Sequence, residues 1–176
     1  MSFAYLDHNA GTGLAEGVLD MMLPYLKQQQ GNPSSSHRFG RYTLAAIDHA
    51  RQQVANLVNV ETDQIIFTSG GTESNNQAIG GVAQMYDSGR VLIGSTEHPA
   101  VLEPAKRLQQ QGFEVLFIPV KADGLINVEI FETLLTEDTR LVSVMWANNE
   151  TGVVQNIAQL TELTRQRDIL SAGTAV

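Results

Sequence analysis

Three short segments carry the residue types best suited to chemistry. The first is Gly70, Gly71 and Thr72, at the centre of QIIFTSGGTESNNQAIGG (Gln64–Gly81). A strand that feeds a helix through two glycines gathers several free backbone N–H groups at one point. The helix dipole adds partial positive charge there, and the missing Cβ atoms let a ligand come close to the backbone. Together these features make a phosphate cradle. A plain glycine-rich turn with Thr72 as the helix cap uses the same residues, and this segment alone leaves both readings open. It is not a Walker loop, because no G-K-[ST] follows. GTGLAEG (Gly11–Gly17) approaches the dinucleotide-binding fingerprint, but its third glycine is misplaced by one and too short a strand precedes it.

The second segment is STEHPAV (Ser95–Val101). His98 follows an expected strand, at the edge where parallel sheets bind ligands. A lone histidine before proline is also a common loop or cap residue. The third is WANNETG (Trp146–Gly152), again just past a strand, where Asn148 and Asn149 fit ordinary turn roles as well. Parallel strands deliver their carboxyl ends to one edge, so Thr72, His98 and Asn149 can converge. That convergence says more than any one of the three.

The elements that must position these residues follow from periodicity. Apolar residues at Leu14, Val18, Leu19, Met22, Leu23 and Leu26 predict a helix within Leu14–Gln30, with Pro24 as a kink or boundary. GNPSSS (Gly31–Ser36) is a loop by composition. A second helix is expected over Arg41–Val58, with Leu44, Ile47, Val54, Leu57 and Val58 turned inward. After that, strands and helices alternate. QIIFTS, RVLIGS, FEVLFIPV and RLVSVMWA read as strands, and DIL opens a further one. Helices are expected at Thr72–Met85, Pro99–Gln111, Glu129–Leu135 and Ile157–Arg167. The alternation predicts an α/β fold, a mostly parallel sheet flanked by helices.

Composition narrows the function. The 176 residues are 43% apolar and 17% charged, as in a globular protein. A formal net charge of −8 argues against nucleic acid as a partner. No apolar run is long enough to span a bilayer, so no membrane partner is expected, and no secretory signal is visible. Cysteine is absent, which excludes disulfides, thiolate metal sites and a cysteine nucleophile within these residues. His8, His37, His49 and His98 have no metal-ligand spacing, so no metal is expected.

YLDHNAGT, GNPSSSHRFG, FTSGGTESNNQAI, TEHPAV and LVSVMWANNETGVVQ, in this order, resemble the N-terminal half of the large domain of cysteine desulfurases. These are class V aminotransferases that use pyridoxal 5′-phosphate on the fold-type I scaffold. The resemblance runs from about Ala4 to Arg167. It implies that Gly71 and Thr72 contact the cofactor phosphate, that His98 stacks on the pyridine ring and takes part in proton transfer, and that Asn149 hydrogen-bonds the phenolic oxygen. It implies a cysteine substrate converted to alanine, persulfide sulfur passed to iron–sulfur cluster assembly or other sulfur transfer, a homo-oligomer and a cytoplasmic location. By the same resemblance GNPSSSHRFG lies near the active-site mouth and a subunit interface; a plain surface loop is the other reading.

The departures from the family matter as much. Its His-x-Asp-Ala strand, whose Asp pairs with the pyridinium nitrogen, corresponds without gaps to Ala172 and Thr174 in DILSAGTAV. Its Schiff-base lysine, in Ser-x-His-Lys, and its sulfur-accepting cysteine have no counterpart. The lysines here are Lys27, Lys106 and Lys121, in other contexts. The expected organisation is an N-terminal segment and helix (residues 1–30) and a truncated, incomplete cofactor-binding large domain (31–176), without the small C-terminal domain. On this reading the fragment binds pyridoxal phosphate weakly or not at all and is inactive alone. The alternatives are a non-catalytic pseudoenzyme or partner of a full-length desulfurase, and a selenocysteine lyase or other class V enzyme.

Overall fold

A computed structural model describes residues 4–8, 11–28 and 31–175. Asn9 and Ala10 of YLDHNAGT, and Gln29 and Gln30 at the end of the first expected helix, lie outside the described residues. The chain divides into two compact units, Gly11–Phe67 and Met1–Ala10 with Thr68–Val176.

The Gly11–Phe67 unit holds helix α1 (Val18–Gln28), helix α2 (Arg38–Val58) and a 3-10 turn at Thr62–Gln64. Helix α1 runs through Pro24. Helix α2 starts three residues earlier than expected because His37 caps it, Nδ1 accepting the Gly40 N–H at 3.3 Å. It ends at Asn59, which adopts the left-handed conformation (φ 56°) and donates its N–H to the Ala55 carbonyl. The GNPSSSHRFG loop folds tightly onto the helix start: a Cβ on Gly40 would collide with the Ser35 carbonyl, and one on Gly31 with the Phe39 carbonyl. The expected inward face of α2 is largely overturned. Leu57 is 84% exposed, and Leu44 and Val58 are exposed too, while Ile47 and Val54 are half-buried. One other helix and a turn cannot cover a 21-residue helix, so within this unit the apolar stripe stays open.

QIIFTS is not a strand. Gln64 ends the 3-10 turn and the following residues pair with nothing in the sheet, leaving Ile66 75% and Phe67 49% exposed. Its β-branched and aromatic residues favour extension, but a strand also needs a neighbour to share its backbone hydrogen bonds.

The second unit is the expected parallel sheet between helices. Its order is β2 (Glu114–Ile118), β1 (Arg90–Gly94), β3 (Thr139–Ala147), β4 (Leu170–Ala175), with every adjacent pair parallel. Alternate residues of the central strands enter two cores. Val91, Ile93 and Leu141 pack with Ile79 and Val82 of α3 (Gly71–Met85) and with Val101, Ala105 and Leu108 of α4 (Pro99–Gln110). Leu92, Val142 and Val144 pack on the other face with Phe131 of α5 (Val128–Leu134) and Leu160 of α6 (Ile157–Arg165). Burial on both faces explains why these strands read as continuous apolar runs.

The topology fixes where a ligand would bind. Helix α4 joins β1 to β2 on one face. Helices α5 and α6 join β2 to β3 and β3 to β4 on the other. The strand order therefore reverses between β1 and β3. Crevices outside the carboxyl ends of strands at such a reversal are where open α/β sheets take ligands.

Candidate functional site

Two turns leave the sheet at the reversal. Ser95–His98 leads from β1 into α4, and residues 148–153 form a tight loop after β3. That loop is closed by Asn148 N–H to the Val153 carbonyl (2.9 Å) and Gly152 N–H to the Asn148 carbonyl (2.9 Å). Gly152 supplies the positive φ (74°) that the reversal of direction requires. Between the two turns lies a cavity of about 270 Å³ lined by Thr96, Glu97, His98, Asn148, Asn149 and Thr151, among others.

His98 is the N-cap of α4, and Pro99 occupies the tolerated first position after it. Its Nδ1 accepts the Ala100 N–H at 3.0 Å, so in the neutral ring the proton sits on Nε2. The cap role weighed for this residue is therefore real, and it leaves His98 half-buried on the cavity wall. Asn149, also half-buried, lines the same cavity.

Asn148 ties the two turns together. Its Oδ1 accepts Glu150 N–H (3.0 Å), Thr151 N–H (2.8 Å) and Thr151 Oγ1 (3.0 Å), while its Nδ2 donates to the Thr96 carbonyl (3.0 Å). Glu97, directly before His98, is 6% exposed, and its Oε1 takes the Ser143 hydroxyl at 3.4 Å. Residue-type reasoning passed over Thr96 and Glu97. An acidic residue three positions past the end of an apolar strand was the available signal.

Gly71 and Thr72 do not line this cavity. They open α3, which runs back toward the start of β1 and so places its N-terminus at the carboxyl edge of the same sheet. The N-cap is Gly70, not Thr72, which sits inside the first turn and whose carbonyl accepts Asn76 Nδ2 at 2.7 Å. The first N–H groups of α3 have no partner within the helix. A Cβ on Gly71 would meet nothing within 4 Å, so packing does not require glycine there; the space at Gly70 is equally open, but its φ of 159° is a conformation that other residues rarely adopt. The open approach is the property an anion cradle needs. Glu73 sits in the same turn, its Oε2 accepting the Ser69 N–H at 2.7 Å. Hydrogen bonds from the Ser69 side chain and then its backbone hold the Glu73 carboxyl below the usual carboxylate range.

None of the three lysines lines the cavity. Lys106 lies along α4 in an ion pair with Glu103 (2.6 Å). Lys121 follows β2, the outer strand, and Lys27 lies in the last turn of α1. Among the described residues no group of three His, Asp or Glu side chains could hold a metal ion. No helix of the described residues is long and apolar enough to cross a membrane.

A doubly wound parallel sheet with polar turns at its reversal defines a ligand-binding α/β domain. Residues 4–173 match the family Aminotransferase class-V, and the chain belongs to that family. The cysteine desulfurase IscS of Dechloromonas aromatica is 45% identical over 170 residues, covering 94% of this chain and 42% of that protein. The mitochondrial cysteine desulfurase of Drosophila melanogaster is 45% identical over 168 residues, covering 94% of this chain and 36% of that one. Among solved structures, a NifS-like protein superposes with a TM-score of 0.92 at 36% identity, over 97% of this chain and 48% of its own. SspA in complex with cysteine gives 0.91 at 34% identity, over 96% and 49%. The chain thus spans less than half the length of the relatives it matches, and the resemblance to cysteine desulfurases holds over nearly all of it.

Proposed function

We propose that residues 1–176 form the N-terminal part of the large domain of a pyridoxal-phosphate-dependent cysteine desulfurase, with residues 1–30 as its leading segment and helix and 31–176 as cofactor-binding scaffold. The observation that carries this reading is the meeting of His98 and Asn149 in one cavity at the strand-order reversal. The whole protein would convert L-cysteine to L-alanine and hold the sulfur as a persulfide for iron–sulfur assembly or other sulfur transfer, in the cytoplasm.

The residues present fit the cofactor's non-covalent contacts. The free N–H groups at Gly71 and Thr72, with open space at Gly70 and Gly71, suit a phosphate dianion. The His98 ring suits the pyridine face and holds its exchangeable proton at Nε2. The Asn149 amide suits the phenolic oxygen. When bound, pyridoxal phosphate supplies an electron sink for bonds at the amino acid's Cα. The covalent partners are not among these residues: no cysteine is present, and none of the three lysines lines the cavity. Residues 1–176 alone therefore hold the cofactor weakly and do not turn over cysteine.

Self-association belongs to the same proposal. Ile66 and Phe67 are exposed without strand partners, and β4 has one neighbour among the described residues. Light scattering should show a mass above the 19.2 kDa monomer; a monodisperse monomer contradicts it.

The test is pyridoxal phosphate titrated into the purified chain, followed by amide resonances, visible absorbance, and borohydride trapping with intact mass. The expected result is saturable, weak shifts at Gly71, Thr72 and Asn149, reduced in His98→Ala, with no specific lysine adduct. An adduct on one lysine would overturn the claim of inactivity. The absence of any saturable shift would overturn the cradle itself.

A further inference from the structure

Asn148 makes more bonds than a turn needs. Turn formation is satisfied by Oδ1 alone, which collects Glu150 N–H, Thr151 N–H and Thr151 Oγ1. The bond from Nδ2 to the Thr96 carbonyl, at 3.0 Å, reaches 52 residues back along the chain. It joins the turn that carries His98 to the loop that carries Asn149. The Thr96 carbonyl lies two residues before His98, and Asn148 directly precedes Asn149.

We propose that Asn148 is a positioning residue: its single side-chain amide locks the β1–α4 turn to the β3 loop and so sets the spacing of His98 and Asn149 across the cavity. This rests on the reading of that cavity as the cofactor's ring site. The role requires an acceptor and a donor on one short side chain. Aspartate supplies the acceptor but would set a carboxylate oxygen against the Thr96 carbonyl. Alanine supplies neither. Glutamine moves both groups outward by one methylene. Only asparagine satisfies both turns from this backbone position.

Asn148→Asp and Asn148→Ala separate bridge from turn. In isotopically labelled protein without ligand, the aspartate variant should keep slow amide exchange at Glu150 and Thr151 while the Thr96 carbonyl resonance moves as its hydrogen bond is lost. The alanine variant should lose both. On titration with pyridoxal phosphate, both variants should bind about tenfold more weakly than the wild type, the size expected for one lost hydrogen bond. Wild-type affinity in the alanine variant, or an unchanged Thr96 carbonyl in both, would reduce Asn148 to an ordinary turn residue. Weakening confined to the aspartate variant and relieved by salt would assign the effect to charge and overturn the proposal. If the wild type binds no pyridoxal phosphate, the functional reading fails while the ligand-free resonances still decide whether the bridge exists.

Discussion

Gln155 clasps the loop that follows the outer strand β2. Its Oε1 accepts the Ile126 N–H at 2.9 Å and its Nε2 donates to the Gly124 carbonyl at 2.8 Å, across 29 and 31 residues of sequence. Gln155 is 7% exposed, and its backbone N–H donates to the Trp146 carbonyl at 2.8 Å. As Asn148 holds the β1 exit to the β3 loop, Gln155 holds the β2 exit to the same loop from its other end.

Gln155→Ala should therefore destabilise the Thr68–Val176 unit by about 1–3 kcal/mol, since it strands the buried Ile126 N–H and leaves the part-buried Gly124 carbonyl without this bond. Gln155→Glu should be at least as damaging, because its carboxylate would face the Gly124 carbonyl. Chemical denaturation of the two variants against wild type checks the order; a neutral alanine variant would show that water replaces both bonds.

Phe131 fills the core between β1, β3 and helices α5 and α6 and is fully buried. Phe131→Ala should cost about 3–5 kcal/mol. The same denaturation measurement should show a lower midpoint with the slope unchanged. Phe131 lies within the helix expected over Glu129–Leu135, and its burial beside Leu135 in this core is what the structure adds.

Gly40→Ala should destabilise the Gly11–Phe67 unit, because the added carbon collides with the Ser35 and Asn32 carbonyls at the start of α2. Overpacking against backbone costs about 1–3 kcal/mol. Gly71→Ala, in open space, should leave stability nearly unchanged and act on anion binding instead. Thermal melts of the two variants, with and without inorganic phosphate, distinguish a packing glycine from a ligand-facing one.

The Glu73 carboxyl titrates below its ordinary value because the Ser69 hydroxyl and then its N–H bond the charged form. A folded-state value below the unfolded one gives stability that is present above the unfolded value and disappears as pH falls through the folded one. Glu73→Gln should thus lower the melting temperature at neutral pH and converge with wild type in acid. Melting curves across that range check the sign; a constant difference at all pH values would place the effect elsewhere.

The segments that the sequence alone made legible are those whose signal is local. Strands β1 and β3 showed as short apolar runs, helices α3 to α6 as amphipathic stretches with boundaries close to those observed, and the three chemistry-bearing turns as polar residues at the ends of such elements. QIIFTS failed because extension was legible but its partner was not: a strand exists only where another segment offers matching backbone groups. Leu44, Leu57 and Val58 failed for the same reason, since an amphipathic face states a need for cover without supplying it.

By itself the sequence determined the α/β alternation, the glycine pair at the start of α3 and the placement of His98 and Asn149 just past strands, because propensity and periodicity act over a few residues. Only the tertiary structure decided that the strand order reverses between β1 and β3, so that His98 and Asn149 share one cavity while Thr72 stands outside it. Only it decided that the Asn148 amide reaches Thr96 and that Gln155 reaches Gly124. Those contacts join groups tens of residues apart, and hydrogen bonds act over about 3 Å of space whatever the distance along the chain.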